Sequence, residues 1–136
     1  MTKTAANIES RALEVVSFMA GGYRFAVEAA QVRTQLSADQ ADRVPMLERL
    51  LGLSCEEPQN KASRRILLIK HATEDYAVSV AKPVELHCLE IDTIYPLPAL
   101  IAARTTLTGI RGLALGPEGV TLLVDFRRMP AQNLFN

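Results

Sequence analysis

The feature that most constrains this chain is the four-residue break Gly116-Pro117-Glu118-Gly119 set between two apolar runs, Leu107 to Leu115 and Val120 to Val124. Glycine tolerates positive φ and proline fixes its own, so the break reads as a tight turn and the flanking runs as paired strands. The second run leads into Asp125, which can cap a short helix through Arg128, with Pro130 limiting it. Nothing in the stretch from Ile94 to Met129 has the character of a catalyst.

Earlier segments repeat the theme. Leu13 to Met19 reads as a strand, Ala20-Gly21-Gly22 as a hairpin turn, and Tyr23 to Val27 as the return strand, alternating Tyr23, Phe25 and Val27 against Arg24 and Ala26. Val32 to Asp42 is polar and predicts a loop or a ragged helix. Pro45 suits the first turn of a short helix that places Met46, Leu47, Leu50 and Leu51 on one face and ends at Gly52. Cys55 to Ser63 is a polar loop. The dense apolar centre of Arg64 to Ala72 predicts a strand buried on both faces. Tyr76 to Val80 returns from a turn at Thr73-Glu74-Asp75, Pro83 marks an edge, bulge or bend, and Val84 to Leu89 resumes as a strand. Beyond Pro96 and Pro98, Ala99 to Arg104 has room for a helical turn. Short strands at close spacing with few helices predict an all-β fold, a small barrel or sandwich.

The chain has 136 residues, 49% of them hydrophobic, which is material for one domain or two small subdomains sharing a core. Fifteen basic and fifteen acidic side chains leave no net charge, which argues against nucleic-acid binding, where positive charge must displace counterions. Trp is absent and aromatics are 5%, so a base-stacking platform is not expected. Neutrality removes the repulsion that keeps copies apart and favours a homodimer. The N-terminus lacks the apolar core of a signal peptide, and no apolar run approaches the ~20 residues of a membrane span. The expectation is a reduced, soluble, cytoplasmic protein with no membrane insertion.

The candidate metal ligands are His71, His87, Cys55 and Cys88, and none has a zinc-like spacing. His87 and Cys88 are strand neighbours whose side chains point to opposite faces. Glu56 and Glu57 disfavour a thiolate at Cys55, and Cys88 suits a small apolar strand position. Gly109, Gly112 and Gly116 are followed by a strand, not by a helix N-terminus that could hold phosphate. Asp125 with Arg127 and Arg128 reads as a helix cap and a solvated basic turn, and as a docking patch in the alternative. No pair of carboxylates is placed for acid–base work. No metal, no cofactor and no catalytic residue are expected.

The order of these segments resembles the CheW-like family of bacterial chemotaxis adaptors. V-V-S-F-M-A-G-G-Y-R-F-A-V-E-A-A-Q-V resembles the family's first two strands, and R-V-P-M-L-E-R-L-L-G-L its Pro-x-x-x-Leu-x-x-Leu-Leu-Gly run. R-R-I-L-L-I-K-H resembles its central strand, and R-G-L-A-L-G-P-E-G-V-T-L-L-V-D-F-R-R-M its closing hairpin. The resemblance spans about residues 13 to 129. It implies two SH3-like five-stranded β-barrels around a shared core. It also implies a non-enzymatic adaptor that links a chemoreceptor cytoplasmic domain to the regulatory domain of a histidine kinase.

Two departures accompany it. The family's Gly-x-x-Asn-Leu-Arg-Gly segment is missing, since only Thr34 to Arg43 fills the gap, so the first barrel is expected to be incomplete and kinase docking to lack its motif. The family's Val-Asp step falls at Val80-Ala81, and its usual glycine is replaced by a tyrosine-led Y-A-V-S-V. The division implied is a tail at 1–12, one domain at 13–130 split into 13–63 and 64–130, and a tail at 131–136. Val80, Lys82 and Val84 lie where the resemblance puts a receptor-facing strand. The alternative function is a small-ligand-sensing or regulatory barrel, which a polar-lined internal pocket would favour.

Overall fold

Gly21 and Gly22 adopt φ of 59° and 84°, the positive values a two-residue hairpin turn requires. They join β1 (Ala12–Ala20) to β2 (Tyr23–Glu28). A computed structural model describes residues 12–37, 44–51, 63–71, 74–97, 109–117 and 119–128. The remaining strands are β3 (Val32–Ser37), β4 (Arg64–Ile69), β5 (Tyr76–Glu90), β6 (Ile94–Pro96), β7 (Ile110–Gly116) and β8 (Gly119–Val124). One helical turn, α1 (Leu47–Leu50), stands between β3 and β4. The strands form one eight-stranded sheet in the order β3-β4-β5-β1-β2-β8-β7-β6. Neighbours are antiparallel except β2 and β8, which run parallel through Phe25–Leu122 to Val27–Val124.

The all-β expectation holds; where the resemblance implied two barrels, the first of them incomplete, the sheet among the described residues is open, with β3 and β6 at its edges. The segment expected to be loop or helix supplies β3, which pairs with β4 from Val32–Ile69 to Ser37–Arg65. Exposure explains the misreading: Arg33, Thr34 and Gln35 lie at a sheet edge in water, and with only Val32 and Leu36 half-buried the strand shows no clear apolar period. The N-terminal half therefore has five strands, β3-β4-β5-β1-β2. Ala12, assigned to the tail, begins β1. The rest of the N-terminal tail, the 131–136 tail, Cys55, Gly52 and the helix expected at 99–104 lie outside the described residues.

Pro83 does not end its strand. β5 runs fifteen residues, with a cis Lys82-Pro83 bond inside it. The register against β1 shifts between Ser17–Glu85 and Met19–Ala81, so the slack around Pro83 is a bulge. Before it, β5 pairs with β4 from Ile69–Tyr76 to Arg64–Ala81; after it, with β1 from Ser17–Glu85 to Ala12–Glu90.

The core draws on both sides of the expected 63/64 boundary. Phe18 and Phe25, registered opposite each other, stack at 6.2 Å and meet Leu47, Leu51, Leu67, Ile69, Val78 and Phe126 in one cluster. Tyr76 abuts Phe126 edge-on at 6.2 Å.

Above this core sits a buried ion pair. Arg64 donates from Nη1 to Glu48 Oε2 at 3.0 Å and from Nη2 to Glu48 Oε1 at 2.9 Å. Its Nε reaches Ser79 Oγ at 3.0 Å, and Nη2 also reaches the Ser79 carbonyl at 2.8 Å. The Gly21 N–H donates to Glu48 Oε2 at 3.3 Å. Burial on its own would raise the Glu48 carboxyl; hydrogen bonds from Arg64 and Gly21, with the Arg64 charge, outweigh it and hold the group below its ordinary value.

Arg64→Met should cost about 3–5 kcal/mol in chemical denaturation, because it leaves Glu48 buried without its counter-charge. The depressed Glu48 carboxyl contributes stability that is present above its unfolded value of 4.5 and is lost as pH falls through its lower folded value. Stability should therefore decline on acidification below that value, and less steeply in Glu48→Gln.

Candidate interaction surface

Side chains on one face of the sheet change environment along the strand order. In the N-terminal half Val16, Phe18, Phe25 and Val27 point into the core. Register carries that face outward: Phe25 lies beside Leu122, Leu122 opposite Leu113, and Leu113 opposite Tyr95. Val120 and Leu115 are partners on the same face, one pleat further along the hairpin. Here the covering core has ended. Tyr23, Val120, Tyr95 and Leu115 are 56%, 52%, 48% and 47% exposed. An apolar strip thus runs over β2, β8, β7 and β6, the kind of surface that marks an interaction site.

The opposite face of the same strands points inward in the C-terminal half, burying Val15, Ala26 and Ala114. Both faces of β7 and β8 are thus apolar. Period-2 reading of the sequence cannot tell which side is inside when both are apolar, so the strip escaped it.

Val80, Lys82 and Val84 part company. Val80 is wholly buried in the core cluster and has no side-chain surface to offer a partner, which corrects the expectation for that residue. Lys82 is exposed beside the bulge, and Val84 is half-buried against the core.

Asp125 occupies the junction where β8 leaves the sheet. Its N–H donates to the Gly109 carbonyl at 2.7 Å. Its Oδ1 accepts from the Arg127 N–H at 3.0 Å, which caps the single 3-10 turn Phe126–Arg128 as the sequence predicts. The same oxygen accepts from Gln31 Nε2 at 3.2 Å and Arg127 Nε at 3.0 Å. Gln31 Oε1 in turn accepts from the Phe126 N–H at 3.0 Å. Burial would raise the Asp125 carboxyl, but the Arg127 hydrogen bonds, the Arg127 charge and the Arg111 charge hold it below its ordinary value. Burial, and then the Asp125 charge, push the Tyr76 phenol up.

Cys88 is a free, exposed thiol, and His87 Nε2 lies 3.2 Å from Glu85 Oε1. Among the described residues no group of three or more His, Cys, Asp or Glu side chains could hold a metal ion. No helix among them is long and apolar enough to cross a membrane.

No protein-family model matches the chain, and no curated protein matches it. Among solved structures, it is similar to the scaffolding protein TtCheW from Thermoanaerobacter tengcongensis, with a TM-score of 0.66 at 14% identity over 85% of this chain and 90% of that one. The chain has the all-β CheW-like fold.

Asp125→Ala removes the cap and strands the buried Gln31 donor, and should cost about 1–3 kcal/mol in thermal or chemical denaturation. Wild type should lose stability as pH falls below the unfolded carboxyl value of 3.8, through the lower folded one, and the variant should lose less over that range.

Proposed function

We propose that this CheW-like chain is a non-enzymatic protein–protein adaptor of the chemotaxis-coupling type, acting in the cytoplasm and engaging a chemoreceptor cytoplasmic domain, a histidine kinase regulatory domain or both. The observation that carries the reading is the fold likeness to a scaffolding protein over most of both chains. A further feature supports it: the apolar strip on β2, β8, β7 and β6 is surface of the kind partners cover.

Lys82 and Val84 remain the receptor-facing residues of this proposal, with Val80 beneath them as support. The bulge at Pro83 lifts this short stretch out of the regular ladder, which suits presentation to a partner. Kinase docking is the less supported arm, since the Gly-x-x-Asn-Leu-Arg-Gly segment is absent from the sequence. The domain proposed to do this work is residues 13–130 as a unit, with a homodimer as an accessible state for a chain of zero net charge.

The test is binding of the purified chain to the receptor cytoplasmic fragment and to the kinase regulatory domain of its own organism. Receptor binding is expected at micromolar strength, with Lys82→Glu weakening it several-fold and leaving the melting temperature unchanged. Absence of binding to both partners, or a Lys82→Glu chain that binds receptor as well as wild type, overturns the proposal.

A further inference from the structure

The two halves of the sheet are filled differently. Phe18, Phe25, Phe126 and Leu47 fill the N-terminal interior. The C-terminal interior holds a partly open hollow of about 280 Å³ between β1, β2, β6, β7 and β8. Leu13, Val15, Ala26, Ile94, Pro96 and Leu123 give it a mainly apolar wall. Gly112 also lines it and cannot be enlarged in place, because a Cβ there would stand 2.4 Å from the Tyr95 carbonyl oxygen on β6. At about 280 Å³ the hollow falls just short of the ~300–1,000 Å³ typical of ligand pockets, which suits only a small ligand.

Its polar groups are few. Gln31 is already committed to Asp125 and to the Phe126 N–H. Arg111, half-exposed on the wall, is ion-paired with Asp125 at 3.7 Å, outside hydrogen-bonding distance, which leaves its guanidinium N–H groups able to turn toward an anion in the hollow. A guanidinium in this position matches a carboxylate in paired hydrogen bonds. The other charge on the wall, Glu28, would repel a second anionic group. Val15 and Ala26 also border a neighbouring hollow of about 210 Å³.

We infer that the C-terminal hollow is a binding site for a small monocarboxylate with an apolar body, its carboxylate on Arg111 and its body against Leu13, Ile94 and Leu123. The site is independent of the adaptor reading, since it uses the inner face of the strands whose outer face carries the apolar strip.

Isothermal titration of the full chain with phenylacetate tests it, with benzyl alcohol as the neutral counterpart. Saturable binding of phenylacetate at millimolar concentration or below is expected, with benzyl alcohol at least tenfold weaker. Arg111→Gln, at an exposed position, should fold normally and lose at least tenfold in phenylacetate affinity. Leu123→Trp should block the hollow, with circular dichroism checking its fold. No saturable phenylacetate binding, equal binding of benzyl alcohol, or unchanged affinity in Arg111→Gln each overturns the inference. Loss of receptor or kinase binding has no bearing on this titration, so the two proposals fail separately.

Discussion

The buried pair between Glu48 and Arg64 is the constraint around which the N-terminal half is arranged. It joins three parts of the chain: the turn of β1 and β2 through Gly21, the helical turn α1 through Glu48, and the paired strands β4 and β5 through Arg64 and Ser79. Two charges taken out of water are tolerable only when their hydrogen-bonding capacity is met. Here both Glu48 oxygens and all three Arg64 nitrogens have partners. With α1 fixed this way, Leu47 and Leu51 close over Phe18 and Phe25. The Ser79 N–H also donates to the Pro45 carbonyl at 2.9 Å, so the segment leading into the helix is tied to β5 as well. Hydrophobic burial supplies the larger energy, but burial is indifferent to direction. The bidentate pair selects one placement of the helix among those that would cover the same apolar area.

From that fixed half the sheet passes into the other without a break, and β5 is the means. Across the irregularity at Pro83 one strand passes from pairing mainly with β4, through Tyr76 to Ala81, to pairing with β1, through Glu85 to Glu90. The parallel contact of β2 and β8 then adds the closing hairpin to the same sheet. Because side chains alternate, the face that is interior around Phe25 becomes exterior around Val120 and Tyr95, and the reverse holds for Val15 and Ala26. One sheet therefore supplies two interiors and one outward apolar strip.

What was legible in the sequence was what local chemistry dictates. The Gly21-Gly22 turn, the Gly116–Gly119 break, the helical face led by Pro45 and the Asp125 cap each follow from a few neighbouring residues. What was not legible depended on partners distant in the chain. Nothing local links Glu48 to Arg64, which only the fold sets 2.9 Å apart. β3 carries the composition of a loop because its only reason to be a strand is the exposed edge of β4. Of the edge, bulge or bend that Pro83 allowed, the register shows the bulge, and the strand continues on either side of it because β1 and β4 hold it. Val80 is buried in the core cluster, whereas Lys82, which regular alternation would put on the same face, is exposed because the irregularity at Pro83 interrupts the period there.

The division between a filled half and a hollow half has a physical consequence for where function can lie. A core packed by Phe18, Phe25 and Phe126 around a bidentate ion pair resists rearrangement, because interiors at crystal-like density have few alternative packings. It makes a good anchor and a poor recognition surface. The C-terminal half breaks two ordinary rules of a stable sheet, leaving large apolar side chains in water outside and space unfilled inside. Departures of this kind reduce stability, so they persist where something other than stability maintains them. The strip and the hollow lie back to back on β2, β6, β7 and β8, and occupants of the two would meet opposite faces of the same thin layer. A ligand that stiffened β6 and β7 from within would alter the surface Tyr95 and Leu115 present outside, with the N-terminal half as the fixed frame for both.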